Sequence, residues 1–578
     1  MSKKGRQRKK KPSKKRKPAP RNAPEIKSLS TDELKGIVAK ARVEPISEGE
    51  QANLDAVIET LEWVTSELDN KTLTLARLRR LFGIQSSEKT KDVFAGGPPS
   101  HADAEAGSGA EADAKAAQEE NGHPDKVGEA EAKPRKGHGR NGAAEYVGAE
   151  SCDIRHESLR PGQACPECQR GKVYEQKDRP RTLIRVRGEP PLQATVYRLQ
   201  TLRCHLCGKI FTATPPAGVG DAKYDATAAS MIAVLKYGSG LPFNRLEGLE
   251  RNLGIPLPAS TQWEIVAEAA STLTPVHEEL VRLAAGGRVV HNDDTSMRVL
   301  SQMKDIAEEK RQSEAAGRPH KGRVGIFCSG IVSVGDHRIA LFFTGRKHAG
   351  ENLSDVLQAR AEELAAPLQM CDGLDRNRPA AFDTIVGNCL VHARRNYVAV
   401  AESFPAEVRY VLDLLGEVYK NDANAKKEQL SDDDRLRYHQ EHSAEVMQTL
   451  HAWMQAQIKE RRVEPNSSLG QAIAYMETRW KALTRFLVEP GAPLDNNICE
   501  RALKKAILHR KNALFYKTEN GARVGDLYMS LIHTAELVGV NPFDYMTELL
   551  RHPELVAETP ANWLPWTYRA SCEALPTS

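Results

Sequence analysis

The sequence predicts a multidomain α+β protein: a helical arm, a cysteine-paired β module, a helical region, and an α/β core split by a long helical insertion. Three observations predict it. Leu54, Leu61, Leu68 and Leu75 recur every seven residues, and CPEC (165–168) and CHLC (204–207) bracket alternating apolar segments. From residue 288 onward, short apolar runs end in acids before a charged helical stretch begins. With 578 residues, 40% of them hydrophobic, there is room for several ordinary cores. Mean hydropathy is −0.52, and no run of 18 apolar residues suggests a membrane span. The basic N-terminus lacks the apolar region of a secretory signal, so the expected location is cytoplasmic. Ten cysteines are too few for a disulfide scaffold.

Residues 1–29 form a basic arm. The first 22 residues hold 12 Lys and Arg and no acid, leaving the rest near −7 against a total of +5. Such a run cannot bury a core, is expected to be disordered, and attracts nucleic-acid phosphates in a salt-sensitive way. A plain solubilising tail is the alternative reading.

Residues 30–90 carry the heptads. Val57, Val64 and Leu78 fall between the leucines, and Phe82 continues the series. That pattern asks for a partner helix, most simply from a second copy of the chain, giving a homodimer or higher oligomer. Lys71 weakens the seam, and a helix packed on its own domain would show the same stripe. Residues 91–148, rich in Ala, Gly and Glu, read as a disordered linker.

Residues 149–216 are expected to form a zinc ribbon. Cys165, Cys168, Cys204 and Cys207 supply four thiolates as two spaced pairs, the donor set of a tetrahedral structural Zn²⁺. Gly208 permits a tight turn beside the second pair. A redox dithiol would need only one such motif. Residues 217–284 read as helices around a break at Gly254–Pro258, compatible with a DNA-binding helix-turn-helix or with an ordinary helix pair.

The core begins in residues 285–400. RVVHNDDTSMRVL opens as a strand and reaches Asp293 and Asp294. Residues 323–345 read as a hairpin turning at Gly335-Asp336, and APLQMCDG ends at Asp372. NCLVHARRNY is a strand that passes into a helix. A helical insertion (401–492) follows, then the final core helix (493–540) and a C-terminal tail (541–578). In that final helix, Glu500 stands alone among Arg501, Lys504, Lys505, Arg510 and Lys511.

Glu500 has a structural explanation: with Asn497 three residues earlier it fits a capping box. It also has a chemical one. Asp293, Asp372 and Glu500, converging from separate elements, would repel one another unless cations lay between them. Two Mg²⁺ ions (or Mn²⁺) would remove that cost and promote phosphodiester chemistry, while the neighbouring bases hold DNA phosphates.

HNDDTSMRVL, LQMCDG, NCLVHARRNY and LDNNICERALKKAILHRKNALFY together resemble the signature segments of insertion sequence 66 family transposases. LRRLFGIQSSEK, the cysteine pairs, KYGSGLPFNRL and NWLPWTY are similar to the same family, in the same order. The resemblance implies a DDE transposase with an RNase H-like core. Its catalytic acids would be Asp293, Asp372 and Glu500, with Asp294 the competitor for the first position. Cys389 and His392 resemble a Cys-x-x-His signature that braces the core or the insertion, with Arg394 and Arg395 beside it as candidate DNA contacts. The implied partners are element-end and target DNA and small accessory proteins of the same element, in a bacterial, nucleoid-associated setting. Four features depart from the family: the charged 301–322 segment, a hairpin without Trp, Leu374 where an aromatic is usual, and the extended basic arm. The rival readings are a zinc-dependent DNA-binding regulator without catalysis and an RNase H-like nuclease without strand transfer.

Overall fold

The computed structural model describes residue 47 and residues 158–174, 190–203, 210–220 and 222–575. The basic arm, the heptad leucines, the 91–148 linker, Cys204 and Cys207 lie outside the described residues. The chain divides into two compact units, one holding Asp221–Leu246 and Pro258–Ser578, the other Pro98–Gly220 and Glu247–Leu257. In the smaller unit, β1 (Thr201–Arg203) and β2 (Ile210–Thr212) pair antiparallel, with Thr201 opposite Thr212.

Helices α1 (Ala226–Ala233), α2 (Phe243–Asn252) and α3 (Ala259–Ala285) follow. The break between α2 and α3 falls where the sequence placed it, with Gly254 at φ +80°. Helix α3 continues for 27 residues and buries Val266, Leu273, Val276 and Leu280. It is a core helix: Ser333 donates to the Ala284 carbonyl at 2.7 Å, and Tyr528 to that of Val266 at 2.9 Å.

Among the described residues the main sheet has five strands. β3 (Val289–Ser296), β4 (Phe327–Val334), β5 (Arg338–Gly345), β6 (Leu368–Cys371) and β7 (Ile385–Asn388) lie in the order β5-β4-β3-β6-β7. The β3–β4 and β4–β5 pairs are antiparallel; β3–β6 and β6–β7 are parallel. The expected hairpin turns through Gly335–His337. β3 lies at the centre, and its first four residues are buried. The charged segment after β3 forms α4 (Leu300–Ala315), and α5 (Ala349–Leu357) connects β5 to β6.

Helix α6 (Leu390–Val398) leaves β7 directly. The insertion then consists of α7 (Pro405–Lys427), α8 (Asp432–His442), α9 (Ala444–Lys459) and α10 (Ser468–Leu483). Its apolar faces do not form a separate core. Leu412, Leu415, Leu450, Met454, Ile473 and Met476 belong to the same buried cluster as Val289 and Leu368 of the sheet.

Helix α11 (Asn497–Ala513) lies against β3 and β4. Gly330, opposite Asp293 in the ladder, permits this approach: a Cβ there would come within 3.0 Å of Leu503. Helix α12 (Glu519–Leu537) then covers the free edge of β5. Its Thr534, Ser530 and Asp526, spaced at four residues, accept the β5 N–H groups of Ala340, Phe342 and Thr344 at 3.1, 3.0 and 2.6 Å. An edge that would otherwise invite another strand is closed from within.

The expected C-terminal tail is instead packed structure. α13 (Pro542–Arg551), α14 (Pro553–Glu558) and α15 (Tyr568–Glu573) bury Tyr545, Trp563 and Tyr568, and α13 lies against α1. The Tyr545 hydroxyl donates to the Trp563 carbonyl at 2.9 Å, and Trp563 and Tyr568 of NWLPWTY serve as core.

Candidate active site

Strand alternation separates the two adjacent acids of β3. Asp294 is nearly inaccessible, its side chain 2% exposed, and its carboxylate is taken by His348 Nδ1 at 2.8 Å and Arg376 at 3.3 Å. Among the described residues, Asp293 has no basic partner of this kind. Its acidity is pushed to about 7, first by burial and next by the negative charge of Asp372, with Asp294 and Glu500 adding to it. The Asp294 N–H, 2.8 Å from Asp293 Oδ1, opposes the shift. Asp293 thus feels the charges of both Asp372 and Glu500.

Asp372 follows β6 directly. Its Oδ1 accepts from the Leu374 N–H at 3.0 Å and from Asn377 Nδ2 at 2.7 Å. Its carbonyl accepts from Tyr475 of α10 at 2.9 Å, so the insertion helps to hold the second acid. The left-handed conformation of Gly373, φ +83°, allows the chain to turn immediately after it.

Glu500 lies in the first turn of α11, but not in the expected capping box. The Asn497 N–H is satisfied by Asp495 Oδ1 at 3.0 Å, and the helix begins at Asn497 rather than after it. Asn496 is drawn elsewhere: it faces His291 Nδ1 at 3.1 Å and donates to the Asn292 carbonyl at 3.1 Å. The Glu500 carboxylate meets Arg395 at 3.1 Å and lies 3.7 Å from His392 Nδ1. Its charge partners come from α6, not from its own helix.

The other bases fall into two groups. Arg510 reaches Thr295 Oγ1 at 2.9 Å and Ser296 Oγ at 2.8 Å, and Lys505 pairs with Glu536 at 2.8 Å. Both are engaged within the fold, whereas Arg501, Lys504 and Lys511 are exposed along α11. Arg394 is half-buried beside Arg395 on α6. Cys389, at the start of α6, is buried, which pushes its thiol up to about 12. Its ligand atom and those of His392 and Glu500 all lie within 4.8 Å of one another.

Behind the acids is a buried polar layer that sequence reasoning missed. Asn292 donates to the Asn377 carbonyl at 2.7 Å, Gln369 donates to Asn292 Oδ1 at 2.9 Å, and Thr384 donates to Gln369 Oε1 at 2.8 Å. This network joins β3, β6 and the loop after Asp372. The available signal was polar side chains inside apolar runs, His291 and Asn292 after VV and Gln369 within PLQMC.

In the smaller unit, the described half of the cysteine module is a tight turn. The Cys165 N–H bonds to the Gly171 carbonyl at 2.7 Å, and the Gln169 N–H to that of Cys165 at 2.9 Å. The Cys168 thiol is held below the ordinary range, first by the backbone N–H of Gly171, then by that of Arg170 and by the Cys165 side chain. A turn that aims N–H groups at sulfur suits a thiolate ligand.

A family model described as "Transposase IS66 family" matches residues 222–524, a span that contains all three converging acids. Three uncharacterized proteins of Sinorhizobium fredii are similar. The protein y4jD is 27% identical, covering 64% of this chain and 71% of its own length. The protein y4hP is 25% identical over 63% of this chain and 65% of its own. The protein y4qI is 24% identical over 58% and 61%. The chain thus spans about two thirds of the relatives it matches. No helix among the described residues is long and apolar enough to cross a membrane.

Proposed function

Because this chain belongs to the IS66 transposase family, we propose that it is a DDE transposase, with Asp293, Asp372 and Glu500 as its metal-binding acids. The observation that carries the reading is Asp293, an acid pushed to about 7 by burial and by its acidic neighbours. An acid that burial and acidic neighbours keep from ionising is suited to a divalent cation. The strand order, three antiparallel and two parallel, supports an RNase H-like core interrupted by the helical insertion.

Asp293, Asp372 and Glu500 would hold two Mg²⁺ (or Mn²⁺). Bound there, the metals would lower the pKa of a water or 3′-hydroxyl and offset negative charge on a phosphodiester. The protein's own contribution is orientation. Asn377 and the Leu374 N–H fix Asp372, and Arg395 fixes Glu500. Asp294, held by His348 and Arg376, anchors the strand that presents Asp293. Arg501, Lys504 and Lys511 contact DNA phosphates from the exposed side of α11. Cys165, Cys168, Cys204 and Cys207 would hold Zn²⁺ in a module for recognising element ends, and the heptad helix would pair protomers across them.

The test incubates the protein with element-end DNA, target DNA, Mg²⁺ and the accessory proteins of the element. Metal-dependent joined products that vanish in Asp372→Ala support the proposal. Cleavage without joining would mark a nuclease, and DNA binding without either would mark a regulator.

A further inference from the structure

Cys389, His392 and Glu500 form a cluster whose chemistry exceeds what a carboxylate centre needs. Cys389 stands at the start of α6, His392 lies one turn into that helix, and Glu500 faces them from the first turn of α11. Among the described residues, His392 Nδ1 and Glu500 Oε1 are shut off from solvent with no hydrogen-bond partner, 3.7 Å apart. That separation is too long for a hydrogen bond and leaves two buried polar atoms unsatisfied, a cost that folded proteins rarely leave standing. A cation between them would remove it.

The third member is already oriented. The backbone N–H of Asn496 donates to Cys389 Sγ at 3.3 Å. Zinc bonds of about 2.0 Å to N or O and about 2.3 Å to S place tetrahedral ligand atoms roughly 3.3–3.8 Å apart. His392 and Glu500 are at that separation, and the whole cluster closes to it with shifts of about 1 Å. A thiolate, an imidazole and a carboxylate together select a borderline-soft ion such as Zn²⁺, whereas Mg²⁺ prefers oxygen.

We propose that Cys389, His392 and Glu500 form a second cation site of the zinc class, distinct from the four-cysteine module, with its fourth position open to water. The site does not rest on the transposase reading. If that reading holds, the two sites share Glu500, and zinc and magnesium compete for it.

The experiment uses the full chain, stripped with chelator and reloaded with ¹¹³Cd²⁺, and reads the cadmium resonances. The wild type should show a resonance in the range of mixed sulfur, nitrogen and oxygen ligands, apart from any four-thiolate signal. Cys389→Ser and His392→Ala should each abolish it while leaving the four-thiolate signal, lowering bound metal from about two equivalents to about one. The absence of a mixed-ligand resonance in the wild type would overturn the proposal, as would its survival in both variants. The wild-type spectrum decides even if a variant fails to fold. Strand transfer measured on the same preparation reports separately on the transposase reading.

Discussion

Arg395 meets Glu500 at 3.1 Å across 105 residues of sequence, joining the helix that leaves β7 to the helix that closes the core. The pair is half-exposed, so its value lies in aiming the carboxylate more than in stability. Arg395→Ala should leave the fold intact and lower metal-dependent cleavage by on the order of tenfold to a hundredfold, as loss of orientation does. Kinetics at saturating Mg²⁺, with circular dichroism as the folding control, would check it. Unchanged rates would remove Arg395 from the site.

Asp293 should couple metal binding to pH. Its folded value of about 7 lies above the ordinary carboxylate value of about 3.9. Between these values the metal-free folded state holds a proton that the unfolded state has released, so stability falls as pH rises through the window. Asp293→Asn should therefore stabilise the metal-free protein at pH 8 by on the order of 1–3 kcal/mol, with the gain gone by pH 4. Thermal melts in chelator across this range would show it. Mg²⁺ affinity of the wild type should fall up to about tenfold per unit as pH drops below 7.

Asp294 should behave in the opposite way. Its buried carboxylate is held by His348 and Arg376, so Asp294→Ala leaves two basic groups without their acid. A loss of about 2 kcal/mol in stability is expected, with Mg²⁺ affinity little changed once folded. If Asp294→Ala removed metal binding and Asp293→Asn did not, the assignment of the first acid would be reversed.

The bases of α11 should divide by partner. Lys504→Ala and Lys511→Ala should each lower DNA affinity and reduce the slope of log affinity against log salt by about 1. Lys505→Ala and Arg510→Ala should act mainly on stability, since their side chains are engaged by Glu536 and by Thr295 and Ser296. Salt-titrated DNA binding alongside denaturation separates the two groups.

Gly330→Val tests the seat of α11. A side chain there meets Leu503 at 3.0 Å, so the helix must shift, at about 1–3 kcal/mol, and Glu500 with it. Activity should fall further than stability alone would explain.

The hairpin was readable because it leaves a local trace, Gly335-Asp336 marking its turn; Asp293 and Asp372 stand out in the same way as acids that end apolar runs. Glu500 stands out as a lone acid among bases, but its surroundings were misread. The bases within its own helix are visible at short spacing, whereas Arg395 approaches from a distant helix that only the tertiary fold brings near. The Asn497 cap failed for a related reason. Asp495, two residues earlier, takes that N–H, and Asn496 is claimed by His291 and Asn292 of the central strand. The role of α12 was hidden because Asp526, Ser530 and Thr534 look like ordinary polar residues on a helix until an unpaired strand edge lies beside them. Likewise, NWLPWTY reads as tail until Trp563 and Tyr568 are seen to be buried.

The helical insertion also has a kinetic consequence. A chain emerging at roughly 5–20 residues per second presents both aspartates and Arg395 on the order of 5–20 s before α11 arrives. Until α11 docks over Gly330, the two aspartates lack their third acid, and His392 and Arg395 lack their partner carboxylate. The acid cluster is therefore completed by one of the slowest contacts to form, a closure across the whole insertion. Nascent or truncated chains ending before residue 500 should carry most of the fold's sheet and none of its assembled centre.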